Sequence, residues 1–242
     1  MSDLRRRLYE GYTEGRGFAV VGGDGAELLA AYPYFARLCR DHLPADRGAA
    51  LLDLGCGDGA LLAVARALGY RELRGIDGSA PQVAAARARG LTVDEGALLQ
   101  RLASSPAASI DCALAIDVLE HIPRDELLPL LDEIHRVLRP GGRLIVHVPN
   151  GESPFCGMVR YGDLTHELAF TRRSLRQLAL AAGFGEPRCF EDRPLVRGPA
   201  SAARSLLWRG VRAGLRVYLA AEGQTDPQVI LSMNLLAVLP RP

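Results

Sequence analysis

Residues 51–68 constrain this chain more than any other segment. An apolar run, Leu51-Leu52-Asp53-Leu54, ends in Gly55-Cys56-Gly57-Asp58-Gly59 and passes into a helical pattern from Ala60 to Leu68. The pattern is that of a buried strand, a tight turn and a helix start. Glycines reach left-handed backbone and let a ligand approach the main chain, and the first helical turn offers N–H groups without intrahelical partners. A nucleotide-like ligand at the carboxyl end of a strand is the expectation. Gly55-x-Gly57-x-x-Ala60 also satisfies the dinucleotide fingerprint of oxidoreductases. Two features argue against that reading: Asp53 lies inside the strand, and Gly59 adds a third closely spaced glycine.

The rest of the chain supports an α/β domain. Residues 73–77, 91–93, 110–116 and 143–148 read as further strands, and residues 81–89, 124–138 and 171–182 read as helices. Ser79 and Thr171 stand at N-cap positions, and Pro129 predicts a kink or a late start in the helix it interrupts. Pro140-Gly141-Gly142 is expected to end that helix. Alternating strands and helices imply a doubly wound, Rossmann-like parallel sheet that binds its ligand at the carboxyl ends of the strands. Residues 229–239 close the chain as a last strand.

The organisation reads as an N-terminal helical cap over residues 1–48, followed by a catalytic domain over 49–242 with a basic helical insertion near 197–222. Tyr9, Tyr12, Tyr32 and Tyr34 are pocket candidates, with ordinary packing the plainer role. In residues 201–220, helical spacing aligns Trp208, Val211, Leu215 and Tyr218 on one stripe and Arg209, Arg212 and Arg216 on another. Such a helix packs as a cap or a dimer partner, or it rests peripherally on an anionic membrane.

Composition excludes other classes. Hydrophobic residues make up 48% of the 242, enough for a sizeable core, and the formal net charge of +1 argues against a nucleic-acid partner. The basic residues are all Arg. Five scattered cysteines with no C-x-x-C pair argue against a disulfide framework or a zinc site. No apolar run is long enough to span a bilayer, and Met1-Ser2-Asp3-Leu4-Arg5-Arg6-Arg7 leads into no apolar signal region, so a cytoplasmic location is expected, with peripheral contact at the inner face of the membrane as an extension.

Asp77 ends the second strand, about twenty residues past the glycines, where a carboxylate accepts ribose hydroxyls. The fourth strand runs into Asp117-Val118-Leu119-Glu120-His121-Ile122-Pro123, and Leu138-Arg139-Pro140-Gly141-Gly142 follows. With the glycine turn, these segments resemble motif I and the D-V-L-E-H … L-x-P-G-G signature of class I S-adenosylmethionine (SAM) methyltransferases, over roughly residues 50–185. The resemblance implies a seven-stranded sheet whose antiparallel last strand lies beside the fifth. It implies SAM as cofactor, with Asp53, Gly55, Cys56, Gly57, Asp77, Gly78, Gly96 and Asp117 around it. One departure stands out. Many family members carry Gly-Asp-Ala after the third strand, whereas here Ala97 falls where the adenine-binding Asp would lie, in Glu95-Gly96-Ala97, so that backbone groups or Glu95 would have to substitute.

Asp117, Glu120 and His121 fall on one helical face just past a strand's carboxyl end, and His166 follows a long loop in Tyr161-Gly162-Asp163-Leu164-Thr165-His166-Glu167. These segments are similar to the ubiquinone-biosynthesis O-methyltransferases and to the small-RNA 3′-terminal 2′-O-methyltransferases. By that resemblance Asp117, Glu120, His121 and His166 hold one divalent cation, with Mn²⁺, Fe²⁺ or Co²⁺ suited better than Mg²⁺ by ligand softness. In a metal-free alternative His121 or His166 is a general base. In a third reading the protein binds SAM as a regulator without catalysis. His42, His135 and His147 read as structural. The loop wording, Pro149-Asn150-Gly151-Glu152-Ser153-Pro154-Phe155 through Arg160-Tyr161-Gly162-Asp163, resembles a bacterial methyltransferase group associated with exopolysaccharide and O-antigen sugars. That implies O-methylation of a sugar or glycan hydroxyl, with Arg160 available to an acceptor phosphate or carboxylate.

Overall fold

The computed structural model describes residues 25–242; Tyr9 and Tyr12 lie outside the described residues. Helices α1 (Gly25–Ala31) and α2 (Pro33–His42) precede β1 (Leu51–Leu54), α3 (Ala60–Ala67), β2 (Leu73–Asp77), α4 (Ala80–Ala88), β3 (Thr92–Glu95), α5 (Leu98–Ala103) and β4 (Ile110–Ile116). A 3-10 turn (Leu119–His121) leads to α6 (Arg124–Val137) and β5 (Leu138–Pro149). The remainder is α7 (Cys156–Arg160), α8 (Arg172–Ala181), β6 (Arg188–Glu191), α9 (Pro199–Ala221) and β7 (Asn234–Pro240).

The seven strands form one sheet in the order β3-β2-β1-β4-β5-β7-β6. β1 to β5 are mutually parallel, and β7 runs antiparallel between β5 and β6. This is the expected doubly wound sheet with the antiparallel last strand beside the fifth. The central strand β4 explains how both faces are covered. Ala113 and Ala115 point into the layer of α5, α6 and α8, where their small side chains admit Leu130, Leu131 and Ile134. Cys112 and Leu114 point the other way, into the layer of α1 to α4. Such a strand, buried on both faces, is nearly all apolar.

Three boundaries differ from the sequence reading. α6 runs through Pro129, which lies on its exposed side in the second turn, where the helix forgoes one backbone hydrogen bond. Pro140-Gly141-Gly142 does not end the helix but lies within β5, with Gly141 in the left-handed region at φ +79°. The last strand starts at Asn234 rather than near 229, because the preceding residues are held by side chains: Ile230 and Ser232 carbonyls accept from the buried Asn150 amide, and the Leu231 and Ser232 N–H groups donate to Glu191. β6 has no counterpart in the sequence reading.

Candidate active site

The strand order reverses between β1 and β4, and in such sheets the ligand crevice opens at that point beyond the carboxyl ends. A cavity of about 290 Å³ lies there, lined by Tyr32, Phe35, Asp53, Gly55, Ile116 and Asp117 among others. The three glycines of the turn are all left-handed, but for different reasons. A Cβ on Gly55 would fall 2.8 Å from Val118 Cγ2, and one on Gly59 2.3 Å from Leu91 Cδ1, so those two are required by packing. A Cβ on Gly57 would meet only Gln82 Oε1, at 3.9 Å. Gly57 is therefore where the main chain lies open to a ligand. The Cys56 thiol is buried, facing the position a Gly75 side chain would occupy, which leaves its backbone for any ligand contact.

Asp53 lies inside β1, 3% exposed, and faces this cavity. Burial, with the charge of Asp77 adding to it, pushes its carboxyl up to about 8. A bound cation would reverse that cost, so the site favours a positively charged ligand group. Asp77 closes the turn: its carboxylate accepts from the N–H groups of Gly57 and Ser79, both at 2.8 Å. A carboxylate accepts about four hydrogen bonds, which leaves capacity for ribose hydroxyls. Gly96 donates to the Asp77 carbonyl at 2.9 Å, which brings Gly78 and the Glu95-Gly96-Ala97 segment beside the same strand end. The Glu95 carbonyl is occupied by Arg101.

Asp117 follows β4 in the left-handed region at φ +55°, uncommon for a non-glycine residue. Its carboxylate points at His147, Oδ1 to Nδ1 at 2.5 Å. On the other side of the imidazole, Nε2 lies 3.6 Å from Asp192 Oδ2. Burial alone would discharge His147, but the Asp117 hydrogen bond and the charges of Asp117 and Asp192 outweigh it and raise its pKa to about 10. His147 is thus an imidazolium between two carboxylates, with Tyr34 packed edge-on against its ring. Asp117 borders the cavity with its side chain 59% exposed, and its partial desolvation is outweighed by the hydrogen bond and charge of His147, which hold it below the usual carboxylate range.

Glu120, His121 and His166 come together, with one ligand atom from each within 4.8 Å of the others. The Asp117 carboxylate, expected among them, faces His147 instead. The 3-10 turn presents Glu120 and His121, and the loop is pinned onto it by the Glu167 and Leu168 N–H groups, which donate to the Glu120 carbonyl at 2.7 and 3.2 Å. The tautomers of both histidines follow from their partners. Thr165 Oγ1 spends its one hydrogen on Asp163 Oδ1 at 2.6 Å, so toward His121 Nδ1, 2.9 Å away, it only accepts. Val159 offers His166 Nδ1 a carbonyl at 3.0 Å, which likewise only accepts. Each ring therefore carries its proton on Nδ1 and its lone pair on Nε2, the arrangement of metal-binding histidines.

The electrostatics agree. Burial, with repulsion from Asp117, raises Glu120 to about 8, and its Oε2 is buried without a hydrogen-bond partner. Burial, with the neighbouring His166, lowers His121 to about 4. An acid that resists ionisation and a base that resists protonation suit a cation that neither neighbour supplies. Arg160, a candidate for the acceptor, instead donates to the Glu167 carbonyl at 2.7 Å and lies over Tyr161, bracing the loop. Asp163, Thr165 and Asp192 were missed by the sequence reading, His147 was read as structural, and Tyr34, offered there as a pocket candidate, packs against His147. Only the Asp-x-Thr spacing, which favours a local side-chain turn, could have signalled the first pair.

The model of a methyltransferase domain family matches residues 29–185. An uncharacterized 37.1 kDa protein in transposon TN4556 of Streptomyces fradiae is 34% identical over 212 residues, covering 77% of this chain and 59% of that protein. A trans-aconitate 2-methyltransferase of Azoarcus sp. (strain BH72) is 36% identical over 130 residues, 51% of this chain and 50% of its own length. A ubiquinone biosynthesis O-methyltransferase of Nitrosococcus oceani is 33% identical over 108 residues, 43% of this chain and 44% of its own. The chain thus spans about half the length of these curated relatives. Among solved structures, a SAM-dependent methyltransferase from Archaeoglobus fulgidus superposes with a TM-score of 0.62 at 17% identity, covering 98% of this chain and 99% of that one.

Proposed function

Because this chain belongs to the methyltransferase domain family and has the class I SAM-dependent methyltransferase fold, we propose that it transfers the methyl group of SAM to a hydroxyl of a sugar or glycan, assisted by a divalent cation. The observation that carries the reading is the convergence of Glu120, His121 and the half-buried His166, whose ligand atoms lie within 4.8 Å of one another, with a Glu120 carboxylate oxygen that no hydrogen bond satisfies.

The chain's own residues divide the work. Gly57 gives the cofactor a backbone surface, and Asp77 takes the ribose hydroxyls while it holds the turn shut. Asp53 and Asp117 place two carboxyl groups in the cavity wall, where they balance the ammonium and sulfonium charges. His147 holds Asp117 ionised and in position. Glu95 or the backbone of Gly96 and Ala97 serves the adenine. When bound, SAM would supply an electrophilic methyl carbon; the acceptor oxygen would bond to it as the carbon–sulfur bond breaks, with S-adenosylhomocysteine leaving and the hydroxyl proton passing to water. Glu120, His121 and His166 would hold Mn²⁺, Fe²⁺, Co²⁺ or Mg²⁺, with Asp163 and Thr165 orienting His121 behind them. When bound, the cation lowers the pKa of the acceptor hydroxyl and aligns it. The loop over residues 150–170 and its braces, Arg160 and Asn150, shape the acceptor side.

In the general-base alternative a His121 with a pKa near 4 is a weak base at neutral pH, which leaves His166 as the candidate for that role and chelation as the discriminating test. A regulator without catalysis would need no such set. The test is methyl transfer from SAM to nucleotide-sugars and lipid-linked glycans, followed by mass spectrometry. Exhaustive chelation should abolish turnover with SAM still bound, and Mn²⁺, Co²⁺ or Mg²⁺ should restore it. Full activity after chelation, with no metal by elemental analysis, would overturn the metal reading.

A further inference from the structure

The helical insertion carries a face that the sequence reading did not separate. That reading put Trp208, Val211, Leu215 and Tyr218 on one stripe and Arg212 among the basic residues of another. The structure divides them differently. Arg212 is buried: its guanidinium bonds Glu191 Oε2 at 3.1 Å and lies over the Trp208 ring at 3.3 Å. Trp208, Arg212 and Leu215 form the inward side. The outward side is apolar. Leu206, Leu207, Val211, Val217 and Tyr218 fall on one helix face at about 100° per residue, each between 47% and 71% exposed. Gly210 and Gly214 lie on the same side, with nothing near the place of an added Cβ. Five large apolar side chains left in water on one helix face mark an interaction site.

Charge says which partner fits. Residues 199–221 contain no Asp or Glu, in a chain whose formal net charge is only +1. Arg204 borders the apolar face on one margin, and Arg209 and Arg216 border it on the other. A second copy packed face to face would bring these margins against like charge. An anionic bilayer accepts the apolar residues between its chains and the arginines among its headgroups. Position adds a reason. α9 leaves the carboxyl end of β6 and returns to the start of antiparallel β7, so it sits at the end of the sheet where the cofactor cavity opens. No helix among the described residues is long and apolar enough to cross a membrane, so the contact is one of lying on the surface.

We propose that the outer face of α9, through Leu206, Leu207, Val211, Val217 and Tyr218 with its arginine margins, docks this protein on an anionic lipid surface and presents the active site to an acceptor anchored in that lipid. The second half rests on the glycan reading above; the docking itself does not. The test is sedimentation of the full chain with vesicles of phosphatidylcholine alone or mixed with phosphatidylglycerol, without SAM or acceptor. Binding is expected to the mixed vesicles and to fall with salt. Arg209→Gln and Arg216→Gln should each weaken it about fivefold, the worth of one basic residue at an anionic surface. Leu207→Gln with Val217→Gln, both outward and without packing partners to lose, should weaken it about tenfold or more with the melting temperature unchanged. A parent that ignores anionic vesicles overturns the proposal. So does a concentration-dependent dimer that the Leu207→Gln/Val217→Gln variant dissolves, since the face would then belong to a second copy. Vesicle binding together with failure to methylate any lipid-linked glycan would leave the docking standing and count against the glycan reading alone.

Discussion

Asp53→Asn tests the electrostatics of the cofactor cavity without touching its shape. Asp53 is buried in β1 and its carboxyl sits near 8 against an ordinary 3.8, through desolvation first and the charge of Asp77 second. The folded state therefore keeps the proton to higher pH than the unfolded chain does. The parent loses stability as pH rises from about 4 to about 8, because ionisation is easier once the chain unfolds. At about 1.4 kcal/mol per pH unit between the two pKa values, the cost is about 2 kcal/mol at pH 5 and about 4 kcal/mol at pH 7, and levels off above pH 8 at about 6 kcal/mol. Asn fills the same space and carries no such cost. Urea unfolding of parent and variant across pH 5 to 9 should show the variant more stable by those amounts, with a difference that grows and then flattens. Calorimetry should show the opposite for function: weaker SAM binding by Asp53→Asn, because the ammonium loses a carboxylate. A stability difference that does not change with pH would refute the argument, since Asp53 would then titrate alike in both states.

Three further outcomes follow from the same structure. Gly57→Val should weaken SAM affinity at least about tenfold by calorimetry at a folding cost of only about 1–2 kcal/mol for the left-handed backbone, whereas Gly59→Ala should cost about 2–4 kcal/mol in urea unfolding because its Cβ would strike Leu91. His147→Gln should destabilise by about 3–5 kcal/mol at pH 7 by leaving two carboxylates without their cation; the stability His147 contributes is full below pH 6.5 and lost toward pH 10, so the gap to the parent should close over that range. Arg212→Glu should cost about 3–5 kcal/mol by facing Glu191 with a second acid, while Arg216→Glu on the exposed margin should stay within about 0.5 kcal/mol; equal effects would place Arg212 on the surface.

The sheet was legible wherever burial on both faces wrote itself as an apolar run. β1, β4 and β5 are of that kind, and the glycine turn names the ligand end because a positive φ leaves few residue types. β6 was not legible. It is four residues long, exposed at Arg188 and half-buried beyond, and owes its place to pairing with β7 rather than to any pattern of its own. The outward face of α9 was misread for a related reason. Helical spacing identifies which residues share a stripe, but Trp208 and Tyr218 lie in the same apolar class, and nothing in the spacing says which is turned inward. The partner decides: Glu191 on the edge strand draws Arg212 beneath the helix, and the whole rotation follows.

The acid and histidine cluster shows the same division at the scale of chemistry. Glu120 and His121 are adjacent and His166 follows one loop later, so a motif could carry all three, and the structure brings them together. Asp117 shares the motif but not the destination. Its direction is set by His147, which comes from near the carboxyl end of another strand and reads in sequence as one more residue of a buried run. In an apolar strand a lone histidine is most economically a core residue, and that inference fails here because two carboxylates, from the end of β4 and from just past β6, converge on it across the sheet. Sequence records the ligand atoms a site contains. Which of them face one another depends on strand order, and in this fold the antiparallel insertion of β7 leaves Asp192 within reach of one side of His147 while Asp117 meets the other, so that Glu120 is left to the two histidines.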